Sequence, residues 1–180
     1  MDAHPPPLSD PAPRLWDYAC AAYARPGVGE TCLDWQARYQ ADIPLVLALC
    51  WQAARRRAMP DPAGLCALRE ALAPWRGATV LRLRALRTRL KPLSPPRSRG
   101  AQLRAAVLAA ELEAERVQLE YLARALPDAP GQEASTGPAR QALAHYLAGL
   151  GVPDGERDQA VATLLRQLDA PPHDGLETGR

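Results

Sequence analysis

Four cysteines, Cys20, Cys32, Cys50 and Cys66, are the residues of this chain most suited to chemistry. A thiol becomes a nucleophile beside a base, and zinc favours ligands that lie close together in sequence. The spacings here are 12, 18 and 16 residues, with no Cys-x-x-Cys pair. The three histidines are His4, His145 and His173, so no base of that type stands between residues 4 and 145. Cys20, Cys32 and Cys50 fall on apolar helical stripes, and Cys66 beside Leu65 reads as partly covered. Reduced structural thiols are the expectation, with no catalytic residue, no metal and no cofactor. Asp42 and Asp61 each stand just before a proline and read as helix N-caps, while Asp17 and Asp34 fall on polar helix sides. The Gly-x-Gly at 27–29 follows a helix and lacks the strand that a phosphate loop requires.

Charge is the second source of chemistry. Residues 71–110 hold nine basic groups and no acid, whereas residues 111–180 hold six basic and twelve acidic groups. Arg82, Arg84, Arg87, Arg89, Lys91, Arg97 and Arg99 form a run dense enough to meet several phosphates of a nucleic acid. The competing account has arginine stems flanking an apolar stripe and answering Glu111, Glu113, Glu115 and Glu120 on the next helix. That account is preferred, and nucleic acid is the second choice of partner. The four tryptophans, Trp16, Trp35, Trp51 and Trp75, supply core bulk in a chain without phenylalanine rather than a stacking platform.

The elements that must position these residues are helical. Alanine (35) and leucine (27) make up about a third of the 180 residues, and isoleucine occurs once, at Ile43. Few β-branched residues and many strong helix formers predict an all-α fold. Periodicity places helices over about 14–24, 28–39, 42–57, 61–72, 74–90 and 98–126, with a helical hairpin over 138–150 and 153–168. The third helix is apolar on all sides as far as Trp51 and should be central. Val80, Leu83, Leu86 and Leu90 form the expected inward stripe of the fifth. A compact bundle of six helices over 14–126, a linker at 127–136 and an appended hairpin over 137–168 is the predicted organisation. The Pro-rich residues 1–13 and the tail 169–180 read as disordered.

The longest helix, over 98–126, carries two apolar stripes. One is Leu103, Val107, Ala110, Ala114, Val117 and Tyr121; the other is Leu108, Leu112, Leu119, Leu122 and Leu126, with Glu115 among them. Both need cover, either from the hairpin folding back or from a second chain.

Leu15-Trp16-Asp17-Tyr18, Tyr23-Ala24-Arg25-Pro26-Gly27-Val28, Cys32, the apolar run from Asp42 to Trp51, Pro74-Trp75-Arg76 and Leu83-Arg84-Ala85-Leu86-Arg87 make a recognisable string. It resembles an uncharacterised proteobacterial helical family, domain of unknown function 2390. The resemblance covers 15–126, thins beyond residue 91 and is absent after 127; Pro44 departs from the pattern at a first-turn position. It implies a helical, cytoplasmic bacterial protein and assigns no functional residue.

The expected function is therefore non-enzymatic: contact with a protein partner or a second copy, made through Leu108, Leu112, Leu119, Leu122 and Leu126. A nucleic-acid- or ribosome-associated role of segment 76–104 is the alternative. The most apolar stretch, 43–51, is nine residues, about half of what spans a bilayer. With no secretion signal read at the start, a cytoplasmic location and no membrane partner are expected.

Overall fold

The computed structural model describes residues 12–131 and 137–169. Of the expected disordered segments, 1–11 and 170–180 lie outside these residues, whereas residues 12, 13 and 169 are helical; half of the expected linker, 132–136, lies outside as well. Eight α-helices form among the described residues: α1 (Ala12–Tyr23), α2 (Val28–Tyr39), α3 (Ile43–Ala54), α4 (Pro62–Ala78), α5 (Val80–Leu90), α6 (Arg99–Ala125), α7 (Gly137–Ala148) and α8 (Asp154–Asp169). A short 3-10 turn, Lys91–Leu93, joins α5 to the approach to α6. No strand forms among the described residues; a single bridge pairs Arg57 with Pro130.

Local chemistry explains most boundaries. Gly27, at φ 79°, turns the chain between α1 and α2 in a conformation costly for any residue with a Cβ. Asp42, Asp61 and Ser98 each accept a hydrogen bond from a backbone N–H three residues on, those of Leu45, Gly64 and Ala101. Each thus satisfies an orphan donor of the first turn.

One boundary differs from the expectation. The chain stays helical through Pro74 and breaks at Thr79, where φ −120° and ψ −76° leave the helical region. Proline's own φ is helical, so Pro74 costs one hydrogen bond and a displaced carbonyl, which tertiary contacts can offset. Trp75, one residue on, donates from its indole Nε1 to the Ala114 carbonyl of α6 at 3.0 Å. Thr79 Oγ1 meanwhile donates to the Trp75 carbonyl at 2.7 Å and helps close α4.

α3 is the central element. Every residue from Ile43 to Gln52 is buried, and α1, α6 and α7 pack on it. Gln52 is satisfied in the core by donating to the carbonyls of Ala58, at 3.0 Å, and Pro127. The hairpin α7–α8 is no loose appendage. Leu143, Tyr146, Leu147, Val161 and Leu164 belong to the same buried cluster as Leu15, Trp35 and Leu49.

α6 packs against α1, α3, α4 and α5. Its buried line takes Val107 and Ala114 from the first stripe read from the sequence and Leu122 from the second, with Glu111 and Gln118 between the two. Leu103, Val117 and Tyr121 of the first stripe are exposed. On the second, Leu119, Leu122 and Leu126 enter the core while Leu108 and Leu112 do not. The expected inward stripe of α5 reduces to Val80; Leu83 and Leu90 are half-buried and Leu86 is exposed. α5 turns Arg84 and Arg87 towards α6 in place of leucine.

Candidate functional site

Leu108 and Leu112 stand at 41% and 45% exposure, on the helix side that carries Leu119 into the core about three and two turns later. The core therefore ends partway along α6, and beyond its end lies a groove of about 480 Å³. α1 contributes Trp16, Cys20 and Tyr23, α2 contributes Leu33, and α6 contributes Leu108 and Leu112. Arg84, Arg87, Glu111 and Glu115 also line it, joined to one another.

Those four charges form one cluster between α5 and α6. Arg84 donates from Nε to Glu111 Oε1 at 2.8 Å and from Nη2 to Glu115 Oε1 at 2.5 Å. Arg87 grips Glu111 with both Nε, at 2.5 Å to Oε2, and Nη2, at 3.2 Å to Oε1. Burial alone would raise the Glu111 carboxyl, but the hydrogen bonds from Arg87 and Arg84 overcome it and pull the group below its usual range. Glu115 goes the other way. Its burial, with Glu111 and Asp42 adding like charge, outweighs the single bond from Arg84, and its carboxyl is raised.

The polar line continues along α6. Gln118 donates from Nε2 to both carboxylate oxygens of Asp42, at 2.7 and 2.6 Å. Arg76 lies 3.4 Å from the same carboxylate, and the Asp42 backbone N–H donates to the Tyr146 hydroxyl at 2.6 Å. Asp42 is thus a cap for α3 and a tie between α3, α4, α6 and α7. Burial pushes its carboxyl up against the opposing pull of Arg76 and Gln118.

The structure separates residues the sequence had grouped. Of the leucines read as a partner face, only Leu108 and Leu112 are open to a partner. Leu119, Leu122 and Leu126 fill the core, because the inward arc of α6 includes that side in its C-terminal half. Of the seven cations read as phosphate contacts, Arg84 and Arg87 are taken by Glu111 and Glu115. Arg82, Arg89, Lys91, Arg97 and Arg99 are exposed, and none pairs with another described residue. Glu113 is exposed, and Glu120 pairs within α6 with Arg124, so the expected set of answering glutamates reduces to two.

Cys32 and Cys50 are buried, with burial pushing both thiols up to about 12. Cys20, expected inward, is exposed at the groove. Cys66 is exposed as well, and its thiol lies 3.5 Å from Glu70 Oε1. Trp35 and Trp51 are core, while Trp16 is half-buried at the groove and Trp75 bridges α4 and α6. Gln118 escaped the sequence reading altogether. Its only signal was a position midway between two apolar stripes, where a buried helix line had to run. Among the described residues no group of three or more His, Cys, Asp or Glu side chains gathers as a metal site.

A single-core helical bundle with an open apolar groove over an ion-pair cluster is the class of protein that fold and site define. The chain belongs to the family described as "Protein of unknown function (DUF2390)", which matches residues 14–122. No curated protein and no solved structure matches it.

Proposed function

We propose that this protein is a non-catalytic binding module that receives an apolar helix of another chain, a different protein or a second copy, in the groove between α1, α2 and α6. One observation carries the reading: Tyr23, Leu33, Leu108 and Leu112, all exposed, line the same groove. Apolar side chains clustered in a concave site favour an apolar ligand, and a helix presents such residues at i, i+3 and i+4. The ionisable groups of the groove support a structural role for the cluster, since Arg84, Arg87, Glu111 and Glu115 are bonded to one another. Four free thiols accord with a reducing compartment such as the cytoplasm.

The test places a photo-crosslinking amino acid at Leu112, with Arg140 on α7 as the control position, in the native host. A discrete protein adduct at 112 that disappears on Leu108→Glu is the expected result. Both positions are exposed, so the variant should melt within about 1 kcal/mol of wild type. The same adducts at 112 and 140, or an adduct at 112 indifferent to Leu108→Glu, would overturn the reading.

A further inference from the structure

The far end of the α5–α6 hairpin carries a second surface of different character. Arg82, Leu86 and Arg89 recur at i, i+4 and i+7, which places them on one outer line of α5 about 10 Å long, and Leu93 follows in the 3-10 turn beyond it. All four are exposed, and Leu93, in the turn beyond α5, reaches 71%. Lys91, Arg97, Arg99 and Leu103 lie exposed on the same turn and on the start of α6. The turn is seated closely on α6: a Cβ at Gly100 would stand 2.9 Å from the Leu93 carbonyl oxygen, so only glycine admits this approach. Five cations without partners among the described residues and three exposed leucines thus lie along α5, the turn beyond it and the first two turns of α6, which make up the tip, with no acid anywhere in 71–110.

We propose that this tip docks on an anionic lipid bilayer surface, cations against the headgroups and Leu86, Leu93 and Leu103 in the boundary beneath them. A nucleic-acid backbone would use the arginines and leave the three leucines facing water. A bilayer surface uses both, because headgroup phosphates lie directly above an apolar phase. The end of a helical hairpin is a projection, which suits a broad surface better than a narrow ligand. No described helix is long and apolar enough to cross a membrane, and the sequence expectation of no membrane partner rested on that want of a span. Lying on a bilayer makes a different demand, which exposed leucines among cations meet. The groove lies elsewhere on the hairpin, and this inference does not depend on its occupant.

Sedimentation of the full chain with vesicles provides the test. Vesicles of phosphatidylcholine alone are compared with vesicles containing about 30 mol% phosphatidylglycerol, at about 0.1 M salt. The chain should bind the mixed vesicles and leave the neutral ones. Arg82→Gln with Arg89→Gln should lower partitioning about 25-fold, at roughly fivefold per cation. Leu86→Ser with Leu93→Ser should lower it at least tenfold; Leu93→Ser alone serves if the pair perturbs folding. No binding to the mixed vesicles would overturn the proposal. So would tighter binding to duplex DNA or RNA that ignores the leucine changes, which would mark a phosphate-backbone site instead.

Discussion

Arg84 and Arg87 come from the same two turns of α5 as Arg82 and Arg89, and the two pairs live in different worlds. The inner pair holds Glu111, whose side chain is almost wholly buried, and Glu115 beside it. The outer pair meets no described partner. Composition counts all four as equal contributions to one basic segment. The fold assigns two of them to holding α5 on α6 and leaves two for the surroundings. Helical register makes that choice, since the face of α5 turned to α6 meets Glu111 and Glu115.

The sharpest break of this comparison is Glu111→Ala. It strips Arg87 of its bonded partner and leaves Arg84 with Glu115 alone, both guanidiniums still partly out of water. Loss of one member of a buried pair is costly, so urea unfolding should show about 3 kcal/mol of destabilisation. Arg82→Gln with Arg89→Gln should stay within about 0.5 kcal/mol of wild type. Equal effects of the two changes would erase the distinction between the faces.

A similar contrast runs along α6. Leu119→Ala removes a buried side chain and should cost about 2–3 kcal/mol in the same measurement, whereas Leu112→Ala should cost under about 1 kcal/mol. A comparable loss at Leu112 would mean that something covers the groove in the free protein.

The smallest expected effect concerns Glu115. A carboxyl raised on folding contributes stability that is fully present below its unfolded value, about 4.3, and lost as pH rises through its folded value. Glu111, lowered on folding, has the opposite sign: its contribution is present above the unfolded value and lost as pH falls through the folded one. Glu115→Gln should therefore gain on wild type as pH rises from about 4 towards 7, by at most about 1 kcal/mol. Unfolding midpoints across that range would detect it. A variant that instead loses ground with rising pH would assign Glu115 to the stabilising ion pairs.

The fold was largely legible because its signals are local. An Asp two residues before Pro44 and an Asp before Pro62 announce helix starts, and each carries the expected cap. The unbroken apolar run of α3 announced a central helix. What escaped depends on neighbours. A helix that runs through Pro74 and stops at Thr79 reflects the contact of Trp75 with α6, which no window of sequence contains. The two stripes of α6 were visible, yet the buried line that draws on both also includes Glu111 and Gln118. Their polar side chains are tolerable inside because arginines from α5 and Asp42 from α3 arrive to meet them. The groove was half legible. Leu108 and Leu112 were marked as needing cover, but nothing local said that the core would close over Leu119 and stop short of Leu112.

The contribution of α7 to the core also has a consequence for the chain as it is made. α3 is complete at residue 54, while Leu143, Tyr146 and Leu147, which close its remaining flank, emerge some ninety residues later. At bacterial or eukaryotic elongation rates that interval is roughly 5–20 s. Throughout it the most apolar helix of the molecule waits with one side bare, exposed to any holding chaperone at the ribosome exit. Vectorial synthesis thus leaves this protein's central helix to be covered last.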